Sequence, residues 1–279
     1  MTRAVEGSFE GAAGRSIATY RWTPEGPARD HLVLLHGLAE HAGRYEDFAA
    51  YMTQRGYAVY ALDHQGHGKS EGARAVIASY ESARADIDHL IDEVRSASGL
   101  RGVKLVGHSM GGSLALDYAL HHQNKLSGLV LSGPAIGGGV NPVSAAVLGL
   151  LAKVAPEAGT VELDPAFISR DPAVVAAYLA DPLVPIGKVK ALTARNMMKA
   201  IDRFAREAST LTVPCLLMHG SEDKLVPLAP VRPVFDAIAS PDKTVRIYDG
   251  LYHEIFNEPE RAEVLREVSD WLAAHPPGG

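Results

Sequence analysis

Six short apolar runs rich in β-branched residues recur along the chain: Leu32–Leu35, Tyr57–Leu62, Val103–Val106, Leu129–Leu131, Cys215–Met218 and Val245–Tyr248. Apolar runs of this length, two of them carrying a single charge at Lys104 or Arg246, read as buried strands of a parallel sheet. Stretches with apolar residues at helical spacing separate or follow them, namely Arg44–Arg55, Ser79–Ser96, Met110–His122, Val231–Ala239 and Glu258–Ala274. Strand alternating with helix leaves few solutions, and the expected fold class is a doubly wound α/β sheet with helices on both faces. Gly7–Trp22 alternates more loosely and reads as an antiparallel hairpin at the sheet edge.

The alternation breaks between about Ile136 and Leu211, where helix-like segments and proline-linked turns occur but no convincing strand. We expect a core formed by residues 1–135 and 211–279 and an inserted helical cap at 136–210. The cap opens with the turn-forming Gly137-Gly-Gly-Val-Asn-Pro142 and continues into Val143–Val154, apolar nearly all round with Lys153 its one charge. That segment is too short to span a bilayer. It must either pack on the core or turn its outer face to lipid. No repeat of fixed period is present, and His275–Gly279 reads as a frayed tail.

At 279 residues the chain suits one large α/β domain or a core with an insertion. Its 22% charged and 47% hydrophobic residues set disorder aside. A formal net charge of -6 gives no basic footprint for nucleic acid. The single cysteine, Cys215, lies in an apolar run, so no intrachain disulfide is expected. Met1–Thr19 holds no apolar stretch of signal-peptide length and no segment approaches a membrane span, so a cytoplasmic protein without a signal peptide is expected.

Chemistry concentrates in Gly107-His-Ser-Met-Gly111, a G-x-S-x-G pattern followed by Gly112. A strand-like run leads into it and a helix-like run leaves it, the setting of a nucleophile elbow. Glycines at the facing positions leave room for a serine on a strained turn. Ser109 is therefore the candidate nucleophile. A serine hydroxyl needs a base, and the base needs a carboxylate to fix its tautomer. Of the downstream histidines, His121 and His122 fall on the helix of the elbow itself, His219 ends a strand and His275 lies in the tail. His253 alone occupies a polar loop just after a strand, where such folds collect catalytic groups. Asp223, in the loop after Cys215–Met218, is the favoured acid, with Glu222 its neighbour and Asp249 the competitor closer in sequence to His253. Backbone donors for an oxyanion hole are expected from Met110, which follows the nucleophile, and from Leu38, in the loop after Leu32–Leu35. His36 and Gly37 shape that loop.

Five motifs, His36-Gly-Leu-Ala-Glu-His-Ala-Gly-Arg-Tyr45, Asp63-His-Gln-Gly-His-Gly-Lys-Ser70, Gly107-His-Ser-Met-Gly-Gly112, His219-Gly-Ser-Glu-Asp223 and Tyr252-His253, stand in one order along the chain. Together with Ser169–Pro172 and Asp181–Leu183 the set resembles the monoacylglycerol lipase group of the α/β-hydrolases, its bacterial members especially. The resemblance implies the triad Ser109, Asp223 and His253, the oxyanion donors Leu38 and Met110, and a structural loop at Asp63–Ser70 packed beneath the site. It implies hydrolysis of a monoacylglycerol through an acyl-serine intermediate; no cofactor or metal is expected, and the apolar Val143–Val154 is the segment expected to make any peripheral membrane or micelle contact through the cap. A carboxylesterase or lysophospholipase acting on other single-chain esters is the alternative. Glu40 and Arg44 either meet the glycerol head or brace the oxyanion loop.

Overall fold

The computed structural model describes residues 4–139 and 141–277. Met1–Arg3, Val140 in the turn expected after Ile136, and Gly278–Gly279 of the expected frayed tail lie outside the described residues.

A hairpin of β1 (Val5–Glu10) and β2 (Ser16–Trp22) opens the chain. β3 (Asp30–Leu35), β4 (Tyr57–Leu62), β5 (Val103–His108), β6 (Leu126–Ser132), β9 (Cys215–Gly220) and β10 (Lys243–Tyr248) follow at the expected places. They form one eight-stranded sheet in the order β1-β2-β4-β3-β5-β6-β9-β10. β2 joins β4 antiparallel, and from β4 to β10 every pairing is parallel. The hairpin thus caps one edge, as its looser alternation led us to expect.

Both faces of β3 to β6 and of β9 are covered, whereas β10, expected as a buried strand, lies at the sheet edge with Arg246 and Ile247 exposed. Residues Leu34, Val59, Val130 and Met218 pack under α1 (Glu46–Thr53) and α8 (Arg261–Ala274), which bury Phe48, Met52, Val264 and Val268. Val33, Leu105 and Leu131 face α2 (Tyr80–Ser98), α3 (Met110–His122) and α7 (Leu228–Asp236) through Ile87, Leu114 and Val231. Local chemistry sets the ends of α2. The Ser79 hydroxyl accepts the Ser82 amide at its start, and Gly99, at φ 73°, closes it in the left-handed conformation that glycine adopts without a Cβ penalty.

Between β6 and β9 come α4 (Pro142–Val154), β7 (Gly159–Glu162), α5 (Pro172–Ala180), β8 (Lys188–Lys190) and α6 (Ala191–Glu207). Two of these elements correct the strandless reading of this stretch. β7 and β8 pair antiparallel as a separate two-stranded sheet. Strands of four and three residues, with charges at Glu162, Lys188 and Lys190, are too short to show a period of two. Pro142 and Pro172 each take the first helical turn, under Asn141 and Asp171 caps, which fixes where α4 and α5 begin.

α6 is not a separate layer. Its Ile201 and Phe204 are buried in the same cluster as Leu105 and Leu131 of the sheet, and Arg203 and Arg84 both pair with the buried Asp117 of α3. α4 packs against α6 with Leu148 and Leu151 half-buried, while Val143, Val147, Leu150 and Val154 are exposed. These four recur at spacings of four, three and four and so share one helix face.

One of the tight backbone approaches in the core lies where α3 meets β3. A Cβ on Gly111 would overlap the carbonyl oxygens of Leu35 and His36, which are backbone atoms and cannot rotate away. We expect Gly111→Ala to cost about 1–3 kcal/mol by overpacking and to lower Tm by several degrees in a thermal melt. An unchanged Tm would show that α3 can shift off β3 freely.

Candidate active site

Ser109 sits between β5 and α3 at φ 54° and ψ -119°, a region that a non-glycine residue occupies only when its surroundings compel it. The compulsion is visible. Its amide donates to Ser132 O at 3.0 Å, and its carbonyl accepts from Ala135 at 3.0 Å and Ser113 at 3.1 Å. Side chains are missing where the turn folds back on itself: a Cβ on Gly107 would strike Gly111, and one on Gly112 would strike Pro134. The turn therefore projects Ser109 away from β5 into a cavity of about 340 Å³ that it lines together with Leu38, His108 and His253.

His253 follows β10, and its Nδ1 lies 2.7 Å from Asp223 Oδ2 in the loop after β9. The other Asp223 oxygen accepts the amides of Leu225 at 3.0 Å and Val226 at 2.8 Å. His219 Nε2, bonded to Val226 O at 2.8 Å, stands 3.3 Å from Asp223 Oδ2. Burial alone would raise the pKa of Asp223. The charge of His253, the hydrogen bonds from both histidines and the Val226 amide outweigh it and hold the carboxyl well below the usual range. Burial pushes His253 the other way, toward the neutral form. The charge and hydrogen bond of Asp223, with smaller contributions from Glu254 and Glu40, prevail and raise it above an ordinary imidazole. Asp249 is exposed and bonds the Ser221 hydroxyl at 3.3 Å, and Glu222 is exposed. The carboxylate beside His253 is thus Asp223.

Leu38 borders the cavity, and Met110 is the first residue of α3, where an amide has no partner within the helix. Among the described residues no acceptor is found for the amide of Leu38 or of Met110. The loop carrying Leu38 rests on buried polar groups. His36 Nε2 accepts the His64 amide at 2.9 Å, so its Nδ1 carries the proton donated to Gly37 O at 2.8 Å. Asp63 accepts from the Ala42 and Lys69 amides and from the Tyr20 hydroxyl, each at 2.8 Å. Burial drives His36, His64 and His67 toward the neutral state, His64 down to about 3 and His67 to about 4. These residues brace the loop and do not line the cavity.

Glu40 lines the cavity and Arg44 does not. Arg44 is held by two carboxylates: Nη1 donates to Glu40 Oε2 at 2.9 Å, and Nη1 and Nη2 donate to Glu254 at 2.7 and 2.8 Å. Its guanidinium also lies 4.8 Å from the centre of the Tyr178 ring on α5. Glu254 and Tyr178 were not legible from the sequence. Glu254 offers only its position beside His253, and its partner lies 210 residues away. His108 was visible as part of the motif but not as a site residue. It lines the cavity with its ring centre 4.6 Å from that of His253 and is held neutral, down to about 3, by burial and by His253.

Polar and apolar groups share the cavity wall. Glu40, His108, Ser109, Asp164, His253 and Glu254 line it together with Ile168, Val189, Met197, Met198, Ile201 and Leu225, the apolar ones drawn largely from the stretch between β6 and β9. Among the described residues no group of three or more His, Cys, Asp and Glu side chains is arranged to hold a metal ion.

A family model described as serine aminopeptidase, S33, matches residues 26–260. A monoacylglycerol lipase of Mycolicibacterium smegmatis is 41% identical, over 97% of this chain and 97% of that protein. The human monoglyceride lipase is 32% identical, over 94% of this chain and 88% of its own length. The crystal structure of Paleococcus ferrophilus monoacylglycerol lipase superposes with a TM-score of 0.82 at 34% identity, covering 92% of this chain and 99% of that one. A family match over most of the length, with relatives above 30% identity along nearly the whole chain, means that the chain belongs to the serine hydrolases of the α/β-hydrolase fold, in the monoacylglycerol lipase group.

Proposed function

We propose that the protein hydrolyses monoacylglycerols to fatty acid and glycerol, with Ser109 as nucleophile, His253 as general base and Asp223 as the acid that orients it. The observation that carries this reading is the cavity, in which a strained serine and a carboxylate-bound histidine share the wall of a largely apolar chamber suited to a single acyl chain. Ser109 Oγ attacks the ester carbonyl as its proton passes to His253 Nε2, since Nδ1 is engaged by Asp223. Charge gathers on the carbonyl oxygen, where the Leu38 and Met110 amides receive it, the latter strengthened by the dipole of α3. His253 then gives its proton to the departing glycerol oxygen, leaving an acyl-Ser109 ester. Water, deprotonated by the same histidine, attacks that ester and releases the fatty acid. No cofactor takes part.

Residues 136–210 act in this reading as the cap over the acyl chamber. The exposed Val143, Val147, Leu150 and Val154 face of α4 rests on the micelle or membrane surface from which the substrate is drawn. None of the described helices is long and apolar enough to cross a bilayer.

We expect Ser109→Ala to stay folded and to lose activity by several orders of magnitude on a panel of esters varied in chain length and head group. More than a few per cent of residual turnover would exclude Ser109, and preference for another head group over glycerol would exclude the substrate.

Asp223→Asn should cut kcat by roughly 10³–10⁴-fold by leaving His253 in the wrong tautomer, while Asp249→Asn stays near wild type. Because Asp223 raises the proton affinity of His253, the inactive imidazolium persists to higher pH. The acid limb of kcat/KM is therefore expected above the ordinary imidazole value of about 6.5. The residual activity of Asp223→Asn should show that limb moved down. Inactivation by Asp249→Asn, or a limb that does not move, would reassign the acid.

For α4, Val147→Asp and Leu150→Asp should depress hydrolysis of a micellar monoacylglycerol while sparing a soluble short-chain ester and Tm, because both side chains already face solvent. Equal losses on both substrates would remove the lipid-facing role.

A further inference from the structure

Arg44 does not line the cavity and Glu254 does, and the two meet where three segments of the chain cross. The Arg44 guanidinium forks onto both oxygens of Glu254, uses Nη1 again for Glu40, and lies against the Tyr178 ring. One cation thus joins the loop after β3, the loop carrying His253, and α5. All three charged side chains are nearly buried, Arg44 at 10%, Glu40 at 4% and Glu254 at 7% exposure. Glu254 is further fixed by Asn257 Nδ2 at 2.8 Å and by its own amide, which donates to Ile168 O at 2.7 Å.

The second oxygen of Glu40 turns back on its own loop and accepts the Gly37 amide and, at 2.8 Å, the Tyr45 hydroxyl. Gly37 immediately precedes Leu38, and Ala39 immediately follows it at φ 57°, a conformation that alanine does not hold without outside support. The Glu40 carboxylate therefore fixes the His36–Gly37 peptide, and the next peptide, which carries the Leu38 N–H, turns from it about Gly37 with its carbonyl held by His36 Nδ1 at 2.8 Å. Arg44 sets the position of that carboxylate, and Glu254 sets Arg44.

We propose that the Arg44–Glu254 ion pair is a positioning device for the oxyanion hole, acting through Glu40 on the Gly37 amide, from which the peptide bearing the Leu38 N–H continues. This rests on the assignment of Ser109 and Leu38 above. Arg44 does not line the cavity, and in this proposal the contribution of the pair appears only as charge develops on the carbonyl oxygen. A guanidinium suits the task because its planar fork meets a carboxylate at two points, which a lysine ammonium cannot do.

Glu254→Gln, near-isosteric and still polar, and Arg44→Lys, which keeps the charge but not the fork, are the variants that test it. We expect kcat on a soluble short-chain ester to fall about 10–100-fold in each, the scale of a misaligned rather than a deleted oxyanion donor, with KM within about twofold. The inhibition constant of an alkyl trifluoromethyl ketone, which becomes an oxyanion on adding Ser109, should rise by the same factor. The ratio of monoacylglycerol to short-chain ester hydrolysis should stay constant. A selective loss on the monoacylglycerol would make Arg44 or Glu254 a head-group contact and overturn the proposal. So would a lowered Tm with kcat and the inhibition constant unchanged, or failure of both variants to fold, since either assigns the pair to the core alone. A wild-type protein without Ser109-dependent esterase activity would instead sink the underlying assignment, which the same assay reports separately.

Discussion

The turn at Ser109 is the constraint around which the molecule is arranged. A non-glycine residue at φ 54° is strained by about 1–3 kcal/mol and persists only where neighbouring structure over-determines it. Here β6 takes its amide, α3 and the segment after β6 take its carbonyl, and the absent side chains of Gly107, Gly111 and Gly112 let β5, α3 and Pro134 close around it. The same contact of Gly111 with the Leu35 and His36 carbonyls brings the first turn of α3 against the end of β3. The start of α3 and the loop bearing Leu38 are neighbours because nothing larger than hydrogen separates them.

Around this turn the buried charges divide into two classes. Asp223 has four hydrogen-bonding or ionic neighbours, in β9, the loop after it and the loop bearing His253, and is held ionised against its own burial. Arg44 neutralises Glu40 and Glu254 in a space that would otherwise force one carboxylate to take up a proton, and Glu40 does retain a raised pKa because burial outweighs Arg44 there. Asp117, between Arg84 of α2 and Arg203 of α6, does comparable work outside the cavity by tying the stretch between β6 and β9 to the sheet-covering helices. Each ionic group sits where segments distant in sequence meet, and each would be costly to bury alone.

α4 shows how packing and exposure can share one helix. Leu148 and Leu151 are half-buried on the side of α6, while Val143, Val147, Leu150 and Val154 have no cover among the described residues. The sequence posed burial and outward exposure as alternatives. The helix does both, because an apolar face on every side gives periodicity nothing to distinguish, and only the position of α6 decides which side is inside.

What the sequence determined by itself was whatever is encoded locally. The six parallel strands, α3 to the residue, the edge hairpin and the strand–turn–helix around Ser109 follow from patterns a few residues long, and their places in loops after strands made Asp223 and His253 candidates. The sequence did not resolve β7 and β8, which are too short for a period, nor the roles open to Glu40 and Arg44. Tertiary structure decided that Asp223 and not Asp249 meets His253, that Arg44 turns toward Glu254, and that Tyr178 covers it. Those outcomes depend on which loops the sheet order brings side by side, a property of the assembled strands that no local window of sequence contains.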